Sequence, residues 1–481
     1  MQALYRSQQT KPIDEVAGHY LQIDSYQLMQ RAAWAVYQSI KDQQSVLVVT
    51  GPGNNGGDGW VMAELARQDH KNVLVWALQK PDALRGDAAQ AAADYQGDVV
   101  VTAPPNDKQF DVIVDAVFGT GLSRGPSGIY QDAIEYINQC QAKVLAVDIP
   151  SGLSGDTGVA YQPTVAADKT VAVLNLMPGH MTADGQDYCG ELVVERLDVP
   201  SRVYVEIKPS AYLLSKNQLT ILKKPRRHNS HKGSFGRLLV AGGQHGMLGA
   251  VLLSGTAALV TGAGLVQIIT TEQQAPTVPL YRPELMAMGF HGSEDLIHIP
   301  ASDVLVLGMG LGTSQWSKAL WQQLMKAKIP TVLDADGLNL LADLNGDLAV
   351  VSGSIQVMTP HPKEAARLLQ CEVKDIQMDR IKACETLAMR YQCVVILKGA
   401  GTIISDGKQH YICPYGSADL ATAGTGDVLS GMVGSLMAQG YSPLQSANMA
   451  VMWHAITADD LNLGRCLTAT DLIEHLPDIL K

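Results

Sequence analysis

The 481-residue sequence has four phenylalanines, and its seven cysteines contain no C-x-x-C pair. An odd, scattered set argues against a disulfide framework or a thiolate zinc site and fits a reducing compartment, so a cytoplasmic location is expected. Positive charge is in deficit: 36 Lys and Arg against 47 Asp and Glu give −11. A chain so acidic is a poor general nucleic-acid binder, and any anion must be held locally by backbone N–H groups and a few placed cations. The opening MQALYRSQQTKP has no apolar run, so no signal peptide is expected. From Leu238 to Thr271 there is no Asp, Glu, Lys or Arg, yet Gly242, Gly243, Gly246, Gly249, Gly255, Gly262 and Gly264 interrupt the stretch. A strand, a glycine turn, a buried helix and another strand explain it better than a membrane span. There is no Walker A lysine motif.

Hydrophobic residues make up 46 % of the chain, enough over this length to bury a real core and exclude global disorder. Apolar runs at Ser45–Thr50, Asn72–Leu78, Asp111–Phe118, Lys143–Ile149 and Thr170–Leu174 suit strands buried on both faces of a parallel sheet. Asp24–Ile40 reads as an amphipathic helix before them, and the half reads as one doubly wound α/β domain. A basic run around Pro225, from Lys223 to Lys232, reads as a linker whose end nearer Gly233 is expected to face a phosphate site. The pattern then restarts with strands at Arg237–Ala241, Leu265–Thr270, Val304–Leu307, Thr331–Leu333 and Val394–Leu397, and a helix at Ala250–Val260. The expected division is residues 1–214 and 220–481, each an α/β domain.

In the first half, Gly51-Pro52-Gly53-Asn54-Asn55-Gly56-Gly57-Asp58-Gly59 follows a strand and opens a helix. Its glycines allow close approach of backbone to a ligand, and the helix start offers unpaired N–H groups. A simple cap at Asp58 would not need two Asn and five Gly. Asp115 and Asp148 end two further strands before glycine turns, where ligands of open α/β sheets sit. With Asn55 and Ser151 they form an oxygen-only set that favours a hard cation.

In the second half, Ala421-Thr422-Ala423-Gly424-Thr425-Gly426-Asp427 opens an apolar helix. Gly-Thr-Gly makes a nest of N–H groups for anionic charge, with Asp427 placed to take a proton from a hydroxyl attacking phosphorus. Thr359-Pro360-His361-Pro362 holds a His between prolines. Lys398-Gly399-Ala400-Gly401-Thr402 offers a cation at a strand end, and Gly308-Met309-Gly310-Leu311-Gly312 is a weaker turn of the same kind. His454 reads as core.

GPGNNGGDG, VDAVFGTG and VDIPSG resemble the NAD(P)H-hydrate epimerase family; HKGSFGR, TPHP, LKGAGT and ATAGTGDVLSG resemble the ribokinase-like NAD(P)H-hydrate dehydratase family. The resemblance covers nearly the whole chain and implies a Rossmann-like domain followed by a ribokinase-like domain. It implies repair of NADH or NADPH hydrated at C6 of the nicotinamide ring. The first domain would interconvert R and S epimers. The second would dehydrate the S epimer at the expense of ADP, releasing AMP and phosphate. The implied epimerase contacts are Asn54, Asn55, Gly56, Gly57, Asp58, Gly119, Thr120, Gly121, Leu122, Ser123, Arg124, Gly125 and the catalytic Asp148, with potassium on Asn55, Asp115 and Ser151. The implied dehydratase contacts are Ala250, Gly312, His361 and the catalytic Asp427, with magnesium as cofactor. ADP would lie along Lys398, Gly399, Ala400, Gly401 and Thr402, and along Ser417, Ala418, Asp419, Leu420, Ala421, Thr422, Ala423, Gly424, Thr425 and Gly426. The expected partners are NAD(P)H-hydrate and ADP, without nucleic acid or membrane, in a homo-oligomer. A ribokinase-like small-molecule kinase fused to a nucleotide-binding domain is the alternative enzyme, and an N-terminal scaffold module the non-enzymatic one.

Overall fold

A computed structural model of the chain describes residues 1–105, 108–122, 124–292, 299–344 and 353–481. It divides into two compact units, Ala3–Tyr212 and Leu213–Lys481 with Met1–Gln2.

The first unit holds a parallel sheet of β1 (Ser45–Thr50), β2 (Asn72–Ala77), β3 (Asp98–Val100), β4 (Val112–Ala116), β5 (Lys143–Val147), β6 (Lys169–Val173) and β7 (Glu191–Glu195). The spatial order is 3-2-1-4-5-6-7, with every neighbouring pair parallel. The chain reverses direction across the sheet between β1 and β4, where such folds open a crevice for ligands. The β1 run Val46–Val49 is fully buried because helices cover both faces: Val46 and Val48 pack in one apolar cluster with Trp60 and Met62, Leu47 and Val49 in another with Ile134 and Ile137. This is why a continuous Val/Leu run, not an alternating one, encodes the strand.

The second unit contains β8 (Arg237–Ala241), β9 (Leu265–Thr271), β10 (Met286–Phe290), β11 (Val304–Leu307), β12 (Thr331–Leu333), β13 (Ile355–Met358), β14 (Val394–Leu397), β15 (Ile403–Ser405) and β16 (His410–Ile412). Their order is 16-15-14-13-12-11-8-9-10. The strands from β10 to β14 run parallel, while β14, β15 and β16 run antiparallel to one another. The charge-free stretch becomes β8, the helix Leu248–Val260 and β9, as expected. That helix lies against the helix Thr425–Ala438 so closely that a Cβ on Gly431 would stand 2.1 Å from Ser254 O. Among the described residues no helix is long and apolar enough to cross a membrane.

The basic run does not face the glycine nest. Gly264 N–H bonds to Phe235 O and Leu265 N–H to Gly236 O, at 3.0 and 3.1 Å, which puts Lys232–Phe235 at the N-terminal ends of β8 and β9. The nest at Gly424 starts a helix whose other end, at Ala438, lies against Gly236. Arg226 spends its charge on Gly262 O, at 2.6 Å, and on the face of Phe235.

Candidate active sites

In the first unit the glycine loop leaves β1 and becomes the helix Asn54–Gln68, with Gly53 as N-cap. Most of its glycines serve internal packing. A Cβ on Gly51 would meet Val117 O at 1.9 Å, one on Gly56 would meet Gly51 O at 2.1 Å, and one on Gly59 would meet Ala116 Cβ at 2.6 Å. Gly57 is crowded in the same way by Met29, at 2.5 Å, whereas a Cβ on Gly53 would meet nothing. Only Gly53 has open space where a Cβ would stand; at the other four positions the absence of a side chain is also required by packing within the unit. Asp58 does not cap the helix; it stands five residues into it and lines a cavity of about 650 Å³ with Asn54, Asn55, Gly119, Thr120 and Asp148. Gly121, Leu122, Arg124 and Gly125 are not on its wall, and Ser123 lies outside the described residues.

Asn55, Asp115 and Ser151 come together at the ends of β1, β4 and β5. Asp115 is fully buried and accepts from Ser151 Oγ at 2.6 Å, from Ser151 N–H at 2.7 Å and from Val117 N–H at 3.2 Å. Ser151 Oγ accepts Phe118 N–H at 2.8 Å, and Asn55 Nδ2 donates to Phe118 O at 2.9 Å. Burial pushes the Asp115 carboxyl up to about 6 against these donors.

Asp148 sits at the tip of β5 with φ +64°, a left-handed conformation that costs about 1–3 kcal/mol unless its surroundings hold it. Ile149 N–H closes a three-residue turn onto Val147 O at 2.7 Å, and Asp148 N–H bonds to Val171 O at 2.8 Å. His180, buried, accepts Met177 N–H on Nδ1 at 3.1 Å; its Nε2 therefore carries the proton and donates to Asp148 O at 2.8 Å. This clamps the turn and presents the Asp148 side chain to the cavity. Burial pushes Asp148 up to about 6, with Val173 N–H opposing. Burial and the charges of Asp148 and Asp14 push Asp58 well above the usual carboxylate range. Sequence reasoning missed Asp14. It lies on the helix Ser7–Leu21, and burial and the Asp148 charge push it up to about 7.

In the second unit the functional groups cluster at the C-terminal ends of β11 to β14. Lys398 follows β14 and Asp334 follows β12; Lys398 Nζ meets Asp334 Oδ1 at 2.9 Å. Ser430 Oγ donates to Asp334 Oδ2 at 2.5 Å from the helix Thr425–Ala438. Burial alone would raise Asp334, but Lys398, Ser430 and Thr359 hold it below the usual range. Burial also works against the Lys398 ammonium, and Asp334, Glu364 and Asp427 outweigh it, so the lysine stays charged. A Cβ on Gly426 would lie 3.4 Å from Lys398 Nζ, so the cation stands beside the nest.

The nest has Gly424 as N-cap with φ +89°, which a side chain would strain. Thr425 Oγ1 ties it to Leu420 O and Thr422 O, both at 2.9 Å. His454, buried as expected, donates from Nε2 to Thr425 O at 2.9 Å and braces the turn. Ser417 Oγ accepts Asp419 N–H, at 3.3 Å, which closes the segment upstream of the nest. Thr402 Oγ1 donates to Gly399 O at 2.9 Å and closes the Lys398–Thr402 turn. Asp427 is the third residue of the nest helix; burial and the Asp334 charge push it up to about 7, with Lys398 opposing.

His361 caps the helix Pro362–Leu369: its Nδ1 accepts Lys363 and Glu364 N–H, at 3.1 and 3.2 Å, and its Nε2 lies 3.3 Å from Glu364 Oε1. Its side chain stays 46 % exposed, so it can cap and still meet a ligand. Gly312 N–H donates to Asp336 Oδ2 at 2.7 Å, and a Cβ on Gly310 would sit 3.1 Å from Ala250 Cβ, which puts Ala250 against the Gly308–Gly312 turn. Sequence reasoning missed Asp334, Asp336, Glu364 and Ser430.

A carboxylate-lined crevice at the reversal point of a doubly wound sheet, and a nest–Asp–Lys site on a second parallel sheet, define a two-site α/β enzyme. Residues 238–478 match the family described as NAD(P)H-hydrate dehydratase, and residues 25–179 match the one described as YjeF-related protein N-terminus. The chain belongs to the family of bifunctional NAD(P)H-hydrate repair enzymes, and as a member it is an epimerase and a dehydratase. It is 38% identical over 488 residues to the bifunctional NAD(P)H-hydrate repair enzyme of Coxiella burnetii, covering 99% of each chain. To the enzyme of that name from Escherichia coli it is 37% identical over 476 residues, covering 97% of this chain and 91% of the relative. A ribokinase-like superfamily protein of Enterococcus faecalis superposes with TM-score 0.50 and 26% identity over 56% of this chain and 95% of its own.

Proposed function

We propose that the two sites divide the repair of hydrated NADH and NADPH: the Asp148 cavity epimerises the C6 centre, and the Asp427 nest dehydrates the S epimer with ADP. The observation that carries the second assignment is Asp427, held near neutrality beside an N–H nest and the Lys398–Asp334 pair. A base poised near working pH takes the proton of the C6 hydroxyl as its oxygen bonds to the β-phosphorus of ADP and the bond to AMP breaks. The nest N–H groups and Lys398 hold the charge on the transferred group. Phosphate is a better leaving group than hydroxide; it departs from C6, C5 loses a proton, and the dihydronicotinamide ring is restored.

Magnesium fits this site as a phosphate-bound ion. Among the described residues no three His, Cys, Asp or Glu converge on a ready metal cage. Magnesium needs only one or two carboxylates beside substrate phosphates, and Asp334, Asp336, Glu364 and Asp427 are at hand. It would neutralise phosphate charge. Potassium fits Asn55, Asp115 and Ser151 by donor chemistry: the set is all oxygen, and the groups that act on the buried Asp115 are Ser151 and Val117, with no Lys or Arg among the described residues. It would supply the missing positive charge and order the Phe118 turn.

Purified protein incubated with mixed hydrated NADH epimers and ADP tests the reading. Recovery of nicotinamide absorbance with AMP and free phosphate supports it; a stable phosphorylated product would instead make the second site a small-molecule kinase. We infer further that residues 1–214 and 220–481 work as separable domains. Residues 220–481 alone are expected to clear one epimer only, with the rest consumed when the N-terminal fragment is added.

A further inference from the structure

The helix Ser7–Leu21 turns one stripe to the epimerase cavity: Ser7, Thr10, Lys11, Asp14, Gly18 and His19 all line it, while Ile13 and Ala17 are buried on the other side. The helix thus forms a wall of the same chamber that Asp148 enters from the tip of β5. Thr10, one turn before Asp14 on the same wall, has its Oγ1 buried with no hydrogen-bond partner among the described residues. An epimerisation needs proton traffic at two points, and Asp148 supplies one group. On these grounds, and resting on the epimerase reading above, we propose that Asp14 is a second catalytic residue of the epimerase site, working with Asp148 as an acid–base pair.

In the forward direction the protonated carboxyl gives its proton to the C6 hydroxyl. The C6–O bond breaks, water leaves, and the lone pair of ring N1 forms a C6=N1 iminium. Water then adds to the opposite face of C6, forming a new C6–O bond, and gives its surplus proton to the ionised carboxylate. The pair ends with one proton, as it began, but on the other partner. The reverse reaction uses the same groups with roles exchanged, which suits an enzyme that must run both ways.

The electrostatics agree with one shared proton. Asp14 is raised to about 7 and Asp148 to about 6, and the Asp148 charge is one cause of the Asp14 shift. The other titratable groups on the wall are Lys11, Glu15, His19, Asp24, Asp58 and Asp87. Lys11 faces Glu15 one turn on, at 3.8 Å, and both are strongly exposed. Asp58, itself pushed well above the usual carboxylate range, adds a further carboxyl to the interior without opposing the pair, and the Glu15 charge helps to raise Asp14.

The test uses the full chain and purified R and S hydrated NADH, with interconversion followed by chromatography. Asp14→Asn is expected to lose roughly 10²–10⁴-fold in the rate of epimerisation, as removal of an acid–base group does. KM should change little, dehydration of pure S epimer with ADP should be normal, and unchanged hydrogen-exchange protection of β4 and β5 shows that the epimerase unit is folded. Asp14→Ala should recover part of the lost rate when formate is added, which a merely structural role would not produce. Wild-type epimerisation should slow above about pH 7, where Asp14 ionises, and the residual Asp14→Asn rate should lack that fall. Epimerisation by Asp14→Asn within tenfold of wild type, or a loss that formate does not restore in Asp14→Ala, overturns the proposal. If the wild-type chain itself does not interconvert the epimers, the epimerase reading fails instead.

Discussion

In the N-terminal sheet Asp115 and Asp148 stand at the ends of neighbouring strands and both hold their protons up to about 6. In the C-terminal sheet Asp334 stands at a strand end in the same way and is held below the ordinary carboxylate range. Burial is the largest influence on all three, and it pushes each upward. What differs is the answer to that burial. Asp334 has Lys398 at 2.9 Å and Ser430 at 2.5 Å, whereas the two N-terminal carboxyls have hydrogen-bond donors without a cationic side chain among the described residues. A site that handles phosphate needs a fixed cation, and the carboxylate that holds the cation ionises with it. A site that moves protons about a sugar-linked ring gains from carboxyls poised near neutrality.

The sharpest way to break the comparison is to remove the base from the phosphate site alone. Asp427→Asn should lower dehydration by roughly 10²–10⁴-fold and leave interconversion of the epimers intact. Dehydration measured on pure S epimer, beside epimerisation in the same preparation, checks it.

Lys398→Met should come next. It leaves Asp334 buried without its partner, and loss of one member of a buried pair costs about 3–5 kcal/mol. Chemical denaturation should show this in the transition that reports the C-terminal unit, together with weaker ADP binding by calorimetry.

At the strand-end carboxyls of the two sheets the pH dependence of local stability should run in opposite directions, while Asp427 and Glu364, raised to about 7, act in the same sense as the N-terminal group. Asp14, Asp115 and Asp148 keep protons in the folded state that the unfolded chain releases above its ordinary value of 3.8. Their contribution favours the fold at low pH and is lost as pH rises to about 7. Asp334 is depressed, so its contribution is present above the unfolded value and lost as pH falls through the folded one. Hydrogen exchange of the intact chain between pH 5 and 7 should show β4 and β5 losing relative protection as pH rises, and β12 not doing so. Dehydration itself should slow below about pH 7, where Asp427 becomes protonated.

The smallest effect belongs to His361. His361→Ala removes a cap that accepts two backbone N–H groups and should cost about 1 kcal/mol in thermal stability. Any larger loss in dehydration than in stability would report its contact with substrate.

The sheets were legible because parallel strands buried on both faces are written as Val, Ile and Leu runs that end in glycine. Ser45–Thr50 and Val304–Leu307 were found at their observed bounds. Ile355–Met358 and Ile403–Ser405 escaped although strands as short were found, because Gln356 interrupts the apolar run of the first and the second offers only two apolar residues before Ser405. The helix Ser7–Leu21 was invisible for another reason. It carries Pro12 in its interior, only Ile13 and Ala17 are buried, and the stripe toward the cavity is polar. Its chemistry, and so Asp14, lies in the very positions that erase the apolar period. Asp334 was legible in principle. Val332-Leu333-Asp334 follows the same strand-then-Asp pattern that marks Asp115 and Asp148. Glu364 likewise completes a capping box with His361, a spacing that can be read directly. The glycines of the N-terminal loop carry a second demand beside any ligand: Gly51 and Gly56 let backbone meet backbone within and beside the loop, and Gly59 lets the helix close on the strand ends.

Two differently charged sites perform two different steps in this proposal. It is tested most directly by giving pure R hydrated NADH and ADP to the wild-type chain and to Asp148→Asn, and following R, S and NADH together. Spontaneous epimerisation without enzyme sets the baseline. The account predicts that wild type converts the R epimer to NADH, while Asp148→Asn does so only at the baseline rate yet still dehydrates pure S epimer normally. Conversion of R epimer by Asp148→Asn at the wild-type rate would contradict it.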